Sequence, residues 1–141
     1  MNRTAAFLVA SLAVATVSAG PALAAPKKIT KTYTASAPNP DPTNSASDYS
    51  VCAQNVPGSF DTKVFAVPAA GKLLITLSGF VGDWDLLLTD AANVEIGKSG
   101  HNPGEDEAIT MKFKKAQKVS ITACNWAGGS TGTVSYTFTY A

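Results

Sequence analysis

Gly82-Asp83-Trp84-Asp85-Leu86-Leu87-Leu88-Thr89-Asp90 is the stretch on which the reading of this chain turns. Two carboxylates flank a tryptophan, and an unbroken apolar run follows at once. Three consecutive leucines are not left in water, and acidic groups are rarely buried unless paired or liganded. The segment therefore marks a polar turn that delivers a buried strand.

Outward from this stretch the chain keeps a period of two. Lys63 to Val67 alternates, and Pro68 to Gly71 turns it. Leu73, Ile75 and Leu77 face one way, with Thr76 and Ser78 on the other. Asn93 to Ile96 is short. Ile109, Met111 and Phe113 alternate with Thr110 and Lys112, and Val119, Ile121 and Ala123 fall together. Val134, Tyr136, Phe138 and Tyr140 alternate with Ser135, Thr137 and Thr139. Near the start, Ile29, Lys31, Tyr33 and Ala35 alternate with Thr30, Thr32 and Thr34. This period means one buried and one wet face. Turn signals recur every 8 to 15 residues, and beyond the first 24 residues no stretch holds helical apolar spacing over three turns. The pattern predicts an all-β chain, an antiparallel β-sandwich or jelly roll of seven or eight strands.

The first 24 residues read as a secretory signal. Arg3 supplies the positive start, Ala5 to Ala19 the apolar stretch, and Ala22-Leu23-Ala24 the cleavage site after the break at Gly20-Pro21. The apolar run of 15 residues falls short of the roughly 20 that span a bilayer. The expected organisation is a signal at 1–24, an N-terminal strand with a Pro/Ser/Asn-rich linker at 25–50, and the sandwich domain at 51–141. Pro38, Pro40 and Pro42 stand in a segment whose composition holds no ladder, a linker or a loop lying over the domain. The expected product is exported, with no membrane attachment after cleavage. Without Arg3 it carries ten lysines against ten acidic residues and no arginine. A net charge near zero lacks the basic excess for nucleic acid, and without arginine there is no bidentate clamp for phosphate or carboxylate.

Cys52 and Cys124 are the only cysteines. An even count in an exported protein points to a disulfide. Cys124 lies in the polar phase of its strand, so the bridge would hold the segment from Tyr49 to Val56 across an outer face or a strand end.

The stretches Phe65-Ala66-Val67-Pro68-Ala69-Ala70-Gly71-Lys72-Leu73 and Leu77-Ser78-Gly79-Phe80-Val81-Gly82-Asp83-Trp84-Asp85-Leu86-Leu87-Leu88 resemble the bacterial pre-peptidase C-terminal domain. Weaker matches are Glu107-Ala108-Ile109-Thr110 and Val119-Ser120-Ile121. The resemblance covers about residues 60 to 140 and implies a β-sandwich module of exported proteins. In that family the module trails a peptidase, and related collagen-binding modules hold calcium. No peptidase precedes it here, so a fold is implied and an activity is not.

Three constellations could carry chemistry. Asp83, Asp85 and Asp90 could offer oxygen ligands to calcium, helped by Glu105-Asp106-Glu107; the alternative reading has them capping turns. No other cofactor is expected. Trp126, beside Gly128-Gly129, could join Trp84 and Tyr136 in an aromatic strip for a sugar or peptide, or simply pack beside the disulfide. His101 is the single histidine, in a loop with no nucleophile-elbow serine, and reads as solvated. The expected function is non-catalytic binding to an extracellular glycan, matrix protein or cell-envelope component. The alternatives are an accessory protein that stabilises or inhibits another exported protein, and a small hydrolase. Oligomeric state is left open.

Overall fold

A computed structural model describes residues 25–41, 43 and 52–141; residues 1–24, on which the expected signal falls, and most of the stretch 42–51 lie outside the described residues. Eight strands run in chain order: β1 (Lys27–Ser36), β2 (Phe60–Val67), β3 (Gly71–Ser78), β4 (Gly82–Asp90), β5 (Glu95–Ser99), β6 (Glu107–Phe113), β7 (Gln117–Gly128) and β8 (Thr131–Tyr140). Each alternating segment of the sequence is one of them.

The strands form two antiparallel sheets, β1-β8-β3-β6 and β2-β7-β4-β5. The pairing is nested: β1 with β8, β2 with β7, β3 with β6 and β4 with β5. The chain is thus one long antiparallel ribbon, folded back at the β4–β5 turn and wrapped so that β8 also meets β3 and β7 meets β4. This is the jelly-roll arrangement. The fold-back turn is made locally. Asp90 Oδ1 accepts from the amides of Ala92 (2.8 Å) and Val94 (2.9 Å), and Asn93 takes the left-handed conformation at φ 60°. Asparagine tolerates that conformation better than most residues, and a short carboxylate closes the Asx turn.

The inward phases meet between the sheets. Leu73, Ile75, Leu77, Val134 and Phe138 come from one sheet, and Leu86, Leu88, Val119 and Ile121 from the other; all are fully buried. Phe65 bridges the layers, its ring 4.9 Å from that of Tyr136 and 5.8 Å from that of Phe138. Tilted and edge contacts at these distances add to the area buried.

The structure moves one boundary of the sequence reading and decides between two readings of the proline-rich segment. First, β1 does not belong with a linker at 25–50: it pairs with β8 over all ten of its residues, so the sandwich begins at Lys27. Second, the described part of the proline-rich segment is packed against the domain. Prolines 38 and 40 have no amide to satisfy, and the amides between and beside them find partners: Ala37 donates to Ser130 O, Asn39 to Gly58 O and Asp41 to Asn125 O. The Asp41 carboxylate, 1% exposed, then accepts from the amides of Thr43, Asn55 and Val56 and from the Thr43 hydroxyl. Those bonds, the Thr43 hydroxyl foremost, hold its pKa below the ordinary value. Side chains and caps replace the ladder that proline forbids.

Cys52 and Cys124 form a disulfide, with Cα atoms 5.6 Å apart. Cys124 is on the outward phase of β7, so the bridge ties the Cys52 segment over the outer face of the second sheet. Cys124 and Thr122 are therefore each only 2% exposed although they point away from the core.

Candidate functional site

The opening stretch enters the fold through a glycine pair. Gly82 at the start of β4 lies opposite Gly128 at the end of β7, with φ of 97° and 118°. A Cβ on Gly82 would stand 2.1 Å from Ala127 O and 2.7 Å from Gly128 Cα. Only glycine fits both the conformation and the approach. The register then shifts between Asp83 and Trp84, which leaves Trp126 without an opposite residue on β4. Trp84 turns fully inward, stacks on Phe80 at 6.2 Å and donates its Nε1–H to Gly129 O at 3.1 Å. Asp83 and Asp85, one residue either side, fall on the opposite face.

The loop 100–106 lies against this corner, with the Gly104 amide donating to Gly82 O at 2.8 Å. It brings Glu107 and His101 to the two aspartates. Glu107 is 1% exposed; its carboxylate accepts from the Ser99 hydroxyl and from the His101 amide at 2.8 Å. His101 Nδ1 lies 3.3 Å from Glu107 Oε2 and 3.0 Å from Asp106 O. Ser99 Oγ in turn accepts from the Ala108 amide at 3.1 Å.

The electrostatics follow from crowding like charges at the edge of an apolar layer. Burial first, then Asp83 and Glu107, push Asp85 up to about 7, against a smaller opposing pull from His101. Asp83 is raised by burial and then by Glu107. His101 is raised by the carbonyl of Asp106, then by Glu107, with smaller help from Glu105 and Asp85. The corner is thus a coupled group that retains a proton on Asp85 near neutral pH.

The arrangement constrains the chemistry. Glu107 sits between Ser99 and His101 and takes both of their bonds, whereas a hydrolytic relay needs the imidazole beside the hydroxyl. Calcium fares no better with the expected ligand set. Asp83 and Asp85 do lie together, but Asp90 is five residues beyond Asp85 along β4, roughly 17 Å at strand rise, with its carboxylate committed to the β4–β5 turn. Glu105 and Asp106 are exposed in the loop. Among the described residues no group of three His, Cys, Asp or Glu side chains is placed to hold a metal ion.

The aromatic strip is also corrected. Trp84 is 0% exposed and Tyr136 8%, both facing the core, so neither can meet a ligand. Trp126 alone is half-buried, and its Nε1 has no hydrogen-bond partner among the described residues.

Two surface features escape any reading by residue number. The first is the outer face of the β1-β8-β3-β6 sheet. Thr30, Thr32 and Thr34 of β1, Thr133, Ser135, Thr137 and Thr139 of β8, Thr76 and Ser78 of β3 and Thr110 of β6 share that face, with no carboxylate among them. Cross-strand pairs tie the hydroxyls, Thr30 to Thr137 at 3.2 Å and Thr32 to Ser135 at 2.9 Å. The second is a separation of charge. Lys27, Lys28, Lys72, Lys112, Lys114, Lys115 and Lys118 gather at the end where β1, β3 and β7 begin. Asp41, Asp61, Asp83, Asp85, Glu105, Asp106 and Glu107 gather at the other, while Asp90 and Glu95, either side of the β4–β5 turn, stay at the lysine end on the second sheet. Nesting of the ribbon is what brings lysines from residues 27 to 118 together.

No family model matches this chain, and no curated protein does. Among solved structures it is similar to the pre-peptidase C-terminal domain of a collagenase from Bacillus anthracis, at 14% identity and a TM-score of 0.49, over 77% of this chain and 87% of that one. It is also similar to the Yersinia pseudotuberculosis-derived mitogen, at 13% identity and a TM-score of 0.45, over 83% of this chain and 88% of that one.

Proposed function

We propose that this chain is an exported binding module, without catalysis of its own, that engages a polysaccharide through the outer face of the β1-β8-β3-β6 sheet. The observation that carries the reading is the density of hydroxyls on that face: they come from all four strands, surround the exposed Leu74, include no carboxylate and pair across β1 and β8. Hydroxyls donate and accept alike, and a sheet that fixes them at regular spacing saves part of the ordering cost that binding otherwise incurs. Export is supported by the signal-like residues 1–24 and by the Cys52–Cys124 bridge, a bond that persists in oxidising compartments.

The test is retention of the purified chain on a panel of insoluble and gel-immobilised polysaccharides. The variant Thr137→Val, Thr139→Val removes two hydroxyls of the inner strand β8 while keeping branched strand residues. Retention by the parent and loss by the variant support the reading. Equal retention of both proteins moves binding to another surface, and no retention of either removes the proposal.

A further inference from the structure

The end of the hydroxyl face carries a lysine row that the strand register sets out in order. Lys28 of β1 lies opposite Thr139 of β8, Thr139 opposite Lys72 of β3, and Lys72 opposite Lys112 of β6. At the usual spacing of strands the row runs about 14 Å across the sheet. Beside it opens a cleft of about 600 Å³, lined by Lys72, Lys112, Lys114, Phe113, Tyr140 and backbone at Ala70–Gly71. Lys27 stands over the Tyr140 ring at 5.9 Å, at the same end.

None of these lysines has a carboxylate within ion-pair distance among the described residues; the ion pairs present are Lys63 with Asp61, Lys98 with Glu95 and His101 with Glu107. Like charges directly opposite each other on neighbouring strands cost stability, and Lys72 faces Lys112. Asp90 and Glu95 share this end but belong to the other sheet, where Asp90 closes the β4–β5 turn and Glu95 pairs with Lys98, so neither relieves the row; the remaining described carboxylates sit towards the far end. An unneutralised row costs folding energy that an external anion would return. The row is linear and lies across the strands, so it matches charges repeated along a chain rather than a single compact anion. Lysines act as point charges on flexible stems, which suits a polymer whose acidic groups vary in position.

We infer that the lysine end binds a linear polyanionic polysaccharide, its anionic groups on the Lys28–Lys72–Lys112 row and one residue of the polymer in the cleft by Tyr140. This rests on the proposed binding face and adds the ligand's charge class. Carboxylate and phosphate polymers share the required chemistry.

The test measures binding of the purified chain to polygalacturonate, to a polyol-phosphate polymer, to neutral dextran and to duplex DNA, at several salt concentrations. Binding to one or both acidic polymers is expected, with affinity falling as salt rises; which polymer binds more tightly identifies the source of the anion. Lys72→Gln with Lys112→Gln should weaken that binding by about tenfold and flatten the log–log salt dependence by roughly one to two. Lys63→Gln, in mid-strand on the other sheet and paired with Asp61, should leave it unchanged. Neutral dextran retained as well as the acidic polymers, with no effect of the lysine variant, overturns the inference and leaves the binding face standing. Retention of no polysaccharide overturns both. DNA as the sole ligand, or association of the chain with itself that the lysine variant abolishes while no polymer binds, overturns the inference in favour of those partners.

Discussion

Replacing Asp85 by Asn should make the protein more stable at pH 8, although it removes a charge from a domain surface. Asp85 is half-buried between β7 and the loop 100–106, and its pKa is raised from the ordinary 3.8 to about 7 by burial, Asp83 and Glu107. Between those two values the unfolded chain has lost the proton and the folded chain still holds it. The unfolded state then binds fewer protons, so stability falls as pH rises. The loss starts near pH 4, is complete just above pH 7, and does not return at higher pH. At 1.36 kcal/mol for each pH step the full span would amount to about 4 kcal/mol. Water reaches a half-buried carboxylate and screens it, so about 2 kcal/mol is the figure to expect. Chemical denaturation from pH 4 to pH 9 measures this directly. Asp85→Asn should lose much of the slope, match the parent near pH 4 and exceed it by about 2 kcal/mol at pH 8, which is roughly 8 °C in Tm for a domain of this size. Two neighbours slope the same way. Asp83 is also raised, and His101, raised above 6.5, gives up stability as pH climbs through its own value. His101→Gln in the Asp85→Asn background removes the histidine part. Asp41 is lowered, so its contribution is lost only on acidification below the range of Asp85. A parent protein equally stable at pH 4 and pH 8, or an Asp85→Asn protein less stable at pH 8, would refute the burial argument.

Other perturbations test other parts of the molecule. Reducing the Cys52–Cys124 bridge, which closes a separation of 72 residues, should lower stability by about 4 kcal/mol in the chain-entropy account, read from denaturation with and without reductant. Trp84→Ala should cost about 3–5 kcal/mol as a fully buried side chain is lost, whereas Trp126→Ala should leave polysaccharide retention unchanged; equal thermal shifts would contradict the difference in burial. Gly82→Ala should destabilise the domain or block its expression, because its Cβ meets Ala127 O; a normal Tm would show that β4 and β7 can separate at this corner. Millimolar calcium should give neither heat nor a Tm change, since Asp90 is out of reach and Glu107 is held by Ser99 and His101; saturable heat lost in Asp83→Asn would show otherwise.

The strands were legible because each side chain in a half-buried strand reports its own face. Leu73-Leu74-Ile75-Thr76-Leu77 needs no partner to be read, and its inward phase is buried as the alternation requires. What the alternation lacks is the identity of the neighbour. Nothing local in Lys27 to Ser36 says that it pairs with Thr131 to Tyr140, nearly a whole chain away, and so a true edge strand was grouped with a linker. The same limit misplaced Trp84. Beside two aspartates it reads as a candidate ligand contact, yet the period of two that buries Leu86 and Leu88 extends back one step to bury it as well.

Charge shows the limit most clearly. Summed along the chain, lysines and acids cancel, and on that ground the sequence shows no basic excess for nucleic acid. A nested ribbon does not preserve that average. Each strand that begins or ends at one end of the sandwich contributes its terminal residues to a common surface, so Lys27, Lys72, Lys112 and Lys118 are scattered in sequence but share an end. Asp83, Asp85 and Glu107 are gathered at the opposite end by the same folding. The two ends then behave differently towards solution. The acidic corner lowers its own charge by holding a proton, because its carboxylates are partly buried and crowd one another. The lysine row is exposed and strung across three strands, so an outside anion is the means left to neutralise it. Neutralising Lys72 and Lys112 by mutation should therefore weaken polymer binding without lowering Tm; a large loss of Tm would mean that the row holds the fold together.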